Sequence, residues 1–346
     1  MLKRKLWGSY KGENVYLYTL KNANGMMVTV SNFGATLTSI LIPDGDKYAD
    51  VVLGYNGLRG YADENTAYVG CVVAPNGNRI ARGKCLIEGR EYHLDVNNGV
   101  NNLHTHFELG ASKQLMAVEE SDDRIVFCCH FADMSAGLPG ERDFSVSYQL
   151  DDDNRLIITY SMHSDRTTIF NPTHHSYFNL AGHDQGSVFE QKLQLNADYY
   201  TPVDETLIPT GEIRKVENSP FDFRKAKAIG QDFDLNDEQM RIGRGYDHNF
   251  VLNDYDGTLR CFGSLKDEKS GREMRCYTTQ PGVQVYTANY LDRPDGKEGV
   301  HYLPHEGICL ETQYFPDNIN QPAFVSSLLP ANKTTEYQTV YQFRWK

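Results

Sequence analysis

The chain has 346 residues, 40% of them hydrophobic, enough to bury a core in one large domain or two ordinary ones. Acidic residues outnumber basic ones 46 to 34, giving a formal net charge of -12; such a surface repels phosphate, which argues against nucleic acid as a partner and against a polyphosphate substrate. Seven cysteines without a C-x-x-C pair fit a reduced, cytoplasmic protein, and only Leu6 and Trp7 follow Lys3-Arg4-Lys5 before polar residues, too short an apolar run for a signal peptide or a membrane helix.

Strand-like alternation starts at Val28, with Val28, Val30 and Asn32 on one side and Thr29, Ser31 and Phe33 on the other. Residues 36–42 form a second strand, stopped by Pro43 and turned by Asp44-Gly45-Asp46. Residues 50–55 read as a further short strand, and 60–68 as a loop or short helix. Residues 74–80 are turn-rich. Within 87–96 a Glu88-Gly89-Arg90 turn separates two strands, and an Asn/Gly-rich loop over 97–102 leads into Leu103-His104-Thr105-His106.

Strands are expected at 125–131, 144–150 and 156–162, the last two joined by an Asp151-Asp152-Asp153-Asn154 hairpin turn. Further strands fall at 193–197, 250–252, 260–265 and 273–278, with a polar loop at 203–210. The best helix candidate is 230–241, short and acidic. Residues 283–290 alternate plainly, and Tyr337, Thr339, Tyr341 and Phe343 share one face of the last strand. The abundance of Tyr (22) and Phe (16) suits half-buried sheets. With no internal repeat and no linker, the pattern predicts an all-β chain, one domain over 1–346, built as a large antiparallel sandwich with few short helices.

Four clusters carry candidate chemistry. Asn78-Arg79 sits in a Gly/Pro-bearing turn, where a guanidinium fork suits a carboxylate or sugar hydroxyls, although a surface ion pair is the commoner role of an Arg. On a strand, His104, His106 and Glu108 would share a face and could hold a divalent metal. The stretch Asn171-Pro172-Thr173-His174-His175-Ser176-Tyr177-Phe178-Asn179-Leu180 holds adjacent histidines. On a strand these point to opposite faces, so one can serve a cleft while the other is structural. Glu311 ends the apolar run Gly307-Ile308-Cys309-Leu310, where desolvation raises a carboxyl pKa and tunes it to accept a proton near neutrality.

Here the chain resembles the aldose 1-epimerase, or galactose mutarotase, family over nearly its whole length. The motifs are Gly77-Asn78-Arg79-Ile80, Asn102-Leu103-His104, the 171–180 stretch, and Pro202-Val203-Asp204-Glu205-Thr206-Leu207-Ile208-Pro209-Thr210-Gly211. Phe221-Asp222-Phe223-Arg224, Tyr246-Asp247-His248-Asn249-Phe250 and Tyr277-Thr278-Thr279-Gln280-Pro281-Gly282 follow, then Cys309-Leu310-Glu311-Thr312-Gln313 and Asn320-Gln321-Pro322.

The resemblance implies a galactose mutarotase-like supersandwich with an open sugar cleft. It implies interconversion of the α and β anomers of a free aldohexose such as galactose or glucose, a small-molecule substrate, with no cofactor and no metal. By resemblance Glu311 is the general base and His175 the general acid, while Asn78, Arg79, His104, Asp247, Gln280 and Tyr177 contact the sugar. Three departures touch the binding side, one of them the segment Phe107 to Leu115, which is unlike the common pattern. Thr105 and His106 stand where the family usually has glycines, which bears on cleft width, and Ala74-Pro75-Asn76-Gly77 replaces a Gly-Arg-x-x pattern. The competing readings are a non-catalytic sugar-binding protein on the same scaffold, a metal-dependent enzyme using His104, His106 and Glu108, and a sugar-phosphate epimerase.

Overall fold

A computed structural model describes residues 2–63, 65–121 and 123–346. Three antiparallel sheets dominate. The first is a meander in chain order: Leu2–Tyr10, Glu13–Lys21, Met27–Ser31, Leu37–Asp44 and Lys47–Asp50. Its first two strands were not expected from the sequence. A register shift between Leu6 and Gly8 explains why. A bulge moves the following side chains to the other face and erases the period-two signal. The expected strand at 50–55 is also corrected: Val51, Val52, Leu53 and Tyr55 are buried, but only isolated bridges form there, from Val52 to Phe178 and from Tyr55 to Gly296. An apolar run buried on every side has no alternation to distinguish strand from packed loop.

The second sheet has nine strands. Arg124–Phe131, Arg142–Leu150 and Arg155–Ser164 form its hairpin-linked middle, as expected, with Ala117–Glu120 outside them. The C-terminal strand Lys333–Arg344 lies between Arg155–Ser164 and Glu273–Thr278, and Arg260–Lys266, Lys192–Leu195 and Lys227–Ala228 complete the order. Tyr337, Thr339, Tyr341 and Phe343 do share its buried face. The turn between Lys84–Ile87 and Arg90–His93 also forms as expected, with Glu88 and Gly89 both at positive φ, as a two-residue hairpin loop needs.

The third sheet carries Arg214–Lys215, Tyr199–Thr201, Asp247–Val251, Gly282–Tyr286 and Cys309–Gln313 in that order. Its underside packs on the nine-stranded sheet: Tyr341 donates its hydroxyl to the Leu310 carbonyl at 2.9 Å, and the Thr312 and Thr339 hydroxyls pair. The meander meets the opposite half of the nine-stranded sheet, where Tyr18 abuts Phe127 edge-on at 5.8 Å. Apolar side chains of all three sheets join one buried cluster, which makes the assembly a layered sandwich.

Helix is scarce, as expected. The expected helix at 230–241 is a single turn and a half, Glu238–Gly243. Asp237 caps it by accepting from the Gln239 and Met240 amides, while Asp234 and Asn236 bond locally and hold the preceding chain in turns. All seven cysteines are free. Among the described residues no helix is long and apolar enough to cross a membrane.

Candidate active site

The site is built on the upper face of the third sheet by strand register. Glu311 pairs with Gln284 and Gln284 with Asn249, while Cys309 pairs with Tyr286 and Tyr286 with Asp247. Because side chains alternate along a strand, these six residues share one face. Their neighbours Val283, Val285, Leu310 and Phe250 go down into the core. Gln284 Nε2 donates to Asp247 Oδ1 at 2.7 Å and fixes that carboxylate at the floor.

The histidine pair divides as strand geometry requires. Thr173–His174 pairs with Val72–Val73. His174 is buried: its Nε2 meets the Tyr148 hydroxyl and its Nδ1 the Ser176 hydroxyl, both at 2.9 Å. His175 points the other way. Its Nε2 lies 3.7 Å from Glu311 Oε1. Tyr177 stacks on its ring at 5.0 Å, and the main chain of 175 is pinned to Cys71 and Gly70 by hydrogen bonds of 2.9 Å each.

Two loops complete the walls. Asn78 takes a left-handed conformation and accepts from the Arg79 amide at 2.8 Å, and Arg79 Nε donates to Asn98 Oδ1 at 3.1 Å. His104 and Thr105 are both left-handed as well (φ 55° and 64°). Two such residues in succession end the strand Asn102–Leu103, so His104, His106 and Glu108 do not share a strand face. His106 turns away, its Nδ1 accepting from the Glu108 and Leu109 amides, and Glu108 is exposed. That corrects the metal-binding reading of the H-x-H-x-E spacing. A β-branched residue at positive φ is unusual. Thr105 is held there because its hydroxyl accepts from the Asn76 amide and donates to the Asn76 carbonyl, each at 2.8 Å. Its side chain is therefore spent on the turn and lies outside the cavity wall, so it does not narrow the cleft.

Together these elements enclose a cavity of about 420 Å³. Seven of the eight expected residues line it: Asn78, Arg79, His104, His175, Tyr177, Asp247 and Glu311. Gln280 does not. It is fully buried, with Nε2 donating to the Pro172 carbonyl and Oε1 accepting from the Thr312 hydroxyl, both at 3.0 Å. Tyr177 offers its ring rather than its hydroxyl, which donates to the Ala67 carbonyl at 2.8 Å. The sequence reading missed Tyr68, Tyr286, Tyr290 and Arg293, all in the wall. Tyr286 was findable, two residues after Gln284 on the alternating run. Tyr68 and Arg293 lie in loops with no periodic signal.

The aldose 1-epimerase family model matches residues 16–342. This chain belongs to the aldose 1-epimerase family. It is 40% identical over 323 residues to the galactose mutarotase of Mus musculus, covering 92% of this chain and 91% of that one. It is 34% identical over 335 residues to the aldose 1-epimerase of Escherichia coli K12, covering 96% of each. Among solved structures, a GalM/aldose epimerase homologue from C. elegans superposes with a TM-score of 0.87 at 28% identity, over 95% of this chain and 98% of that one. A galactose 1-epimerase from Lactobacillus acidophilus NCFM gives 0.86 at 26%, over 100% and 99%.

Burial sets the electrostatics of the site. Burial, reinforced by the negative Asp247, pushes the Glu311 carboxyl well above its ordinary range, against the pull of Arg79. Glu311 Oε2 has no hydrogen-bond partner among the described residues. Burial also raises Asp247, opposed by Arg79 and by the Gln284 amide. It lowers His175 to about 4, with the residue's own main-chain carbonyl acting the other way. His104 is held well below its usual value by burial, His175 and Arg79.

Ligating atoms of His104, His175 and Glu311 lie within 4.8 Å of one another, close enough to suggest a cation. The tautomer argues otherwise. His104 Nδ1 accepts the Asn78 amide proton at 3.1 Å, so neutral His104 carries its hydrogen on Nε2 and keeps no lone pair for a metal. Nε2–H is instead a fixed donor, suited to an oxygen of a bound sugar.

Proposed function

We propose that this chain is a cofactor-independent isomerase that interconverts the α and β anomers of a free aldohexose such as galactose or glucose, with Glu311 and His175 moving the protons. The observation that carries this reading is the 3.7 Å approach of His175 Nε2 to Glu311 Oε1 in one cavity wall. Two groups that close can serve two oxygens on the same carbon, the anomeric hydroxyl and the ring oxygen.

Ring opening takes one proton from the anomeric hydroxyl and gives one to the ring oxygen. With the pair as carboxylate and imidazolium, Glu311 accepts the first and His175 Nε2 donates the second as the bond from C1 to the ring oxygen breaks. The pair is then glutamic acid and neutral imidazole, with the proton count unchanged. The aldehyde turns about the C1–C2 bond. His175 takes the proton back as the C5 oxygen attacks the other face of C1, and Glu311 returns its proton to the carbonyl oxygen. Burial, which raises Glu311 and lowers His175, favours the neutral pair. That is the state that accompanies the open-chain aldehyde. General acid–base help of this kind contributes about 10²–10⁴-fold per group.

Asp247 accepts from sugar hydroxyls, Arg79, Asn78 and the His104 Nε2–H donate, and Tyr177 braces the His175 ring. Gln280 acts from below, bracing Thr312 beside Glu311, in place of the sugar contact first expected of it. The whole chain works as one domain, supported by the buried cluster common to its three large sheets, and its seven free thiols support a cytoplasmic setting. Polarimetry of freshly dissolved α-galactose, α-glucose and a panel of other aldoses tests the reading. The protein is expected to speed the approach to anomeric equilibrium for galactose or glucose; no acceleration with any aldose refutes it.

A further inference from the structure

Strand period does more than deliver Glu311 to the cavity. Two residues earlier on the same strand, and so on the same face, stands Cys309. Its Sγ lies 3.5 Å from His175 Nδ1, within the reach of a hydrogen bond to sulfur. One strand therefore meets both nitrogens of the histidine, with Glu311 at Nε2 and Cys309 at Nδ1. Cys309 is completely buried behind the ring and does not line the cavity, so it is out of reach of a bound sugar.

We propose that Cys309 is the positioning residue for His175: its sulfur accepts the Nδ1 hydrogen and so keeps Nε2 free to exchange the proton of the ring oxygen. The proposal rests on the acid–base reading of His175 given above. To take back the proton from the C5 hydroxyl, neutral His175 must have a bare Nε2, which requires its hydrogen on Nδ1. The stacked faces of Tyr177 and Tyr68 fix the plane of the ring but not its tautomer. Only an in-plane partner does that. The main-chain carbonyl of His175 also favours a proton on the ring. The Cys309 thiol, which can accept as well as donate, is compatible with that proton on Nδ1.

A thiol suits this position better than the carboxylate that orients histidines in hydrolytic triads. Burial together with Glu311 and Asp247 raises the Cys309 thiol well above its ordinary range, so it stays uncharged. It therefore orients His175 without a third negative charge beside Glu311 and Asp247. It also leaves the imidazolium a strong acid, which proton delivery to a weakly basic ring oxygen needs.

The test combines nitrogen-15 NMR of His175 in the unmodified enzyme with mutarotation kinetics of Cys309→Ala and Cys309→Ser. The parent is expected to show protonated Nδ1 and bare Nε2. Cys309→Ala is expected to show mixed tautomers, with kcat on galactose down about three- to tenfold, the factor carried by one neutral hydrogen bond, and KM within about twofold. Cys309→Ser, which keeps an acceptor on a shorter bond, should fall between. A parent with its hydrogen on Nε2, or a Cys309→Ala enzyme with unchanged tautomer and kcat, overturns the proposal. If the alanine variant does not fold, the parent spectrum alone decides. Failure of the mutarotase reading looks different: the parent then fails to accelerate any aldose, while its spectrum still reports on the pairing of Cys309 with His175.

Discussion

Adjacent histidines with opposite duties make a sharp test, because alanine at each should damage a different property. His174→Ala removes two hydrogen bonds of 2.9 Å, to Tyr148 and Ser176, and leaves a hole where a buried imidazole stood. The bonds are worth about 0.5–1.5 kcal/mol each, and large-to-small core changes cost about 2–5 kcal/mol, so a combined loss of about 3–8 kcal/mol is expected. Unfolding entropy of about 2.1 cal/mol/K per residue gives about 0.7 kcal/mol/K for 346 residues, which converts that loss to a Tm lower by about 4–11 °C. His174 does not line the cavity, so kcat at a temperature well below the transition should stay within about threefold of the parent. His175→Ala should do the reverse, keeping Tm near the parent's and losing mutarotation. Calorimetry and polarimetry on the two purified variants suffice. If His174→Ala keeps its Tm but loses activity a hundredfold, the assignment of faces is wrong.

Asp247→Asn keeps the carbonyl that accepts from Gln284 but loses the charge offered to sugar hydroxyls. One charge-assisted hydrogen bond is worth about 1.5–3 kcal/mol, so kcat/KM should fall about 10- to 150-fold; a change under twofold would remove Asp247 from the binding set. Stability should drop as pH is lowered from about 6.5 to about 4. His174 and His248, held neutral by burial down to about 3, charge only in the unfolded chain across that window, which therefore binds more protons and gains. His175, lowered to about 4, acts the same way and is offset by Glu311, whose raised pKa has the opposite sign. His174 and His248 between them contribute up to about 2.7 kcal/mol per pH unit, with buried His104 acting in the same direction, and denaturant melts at pH 7 and pH 5 measure it; greater stability at pH 5 contradicts the burial argument.

Much of the site was legible because it rests on period two. The alternating run from 283, the apolar approach to Glu311 and the opposed histidines each follow from strand geometry; the structure keeps the last two, and the first only as far as Tyr286, beyond which the chain leaves the sheet with Ala288 at positive φ. What failed were places where the backbone leaves that geometry. The bulge after Leu6 hid the N-terminal hairpin, and consecutive left-handed residues at His104 and Thr105 broke the expected metal face. Asp237 moved the start of the short helix by capping it late. Gln280 was misplaced for another reason. Two glutamines four residues apart both suit a sugar contact by type, and only the register, which sets Gln284 beside Asp247 and Glu311, separates them. Nor can spacing along the chain show that Glu311 and His175 meet; that comes from the packing of strand Cys309–Gln313 beside Thr173–His174.

The account stands on two proton carriers sharing one sugar. The most direct measurement is the rate of α-galactose anomerisation by Glu311→Gln and His175→Asn beside the parent, at matched folded concentration. Each variant should lose about 10²–10⁴-fold in kcat, and the double variant should lose little more than the worse single, because the two groups act in one step. Full activity in either single variant would show that the proton transfers happen elsewhere.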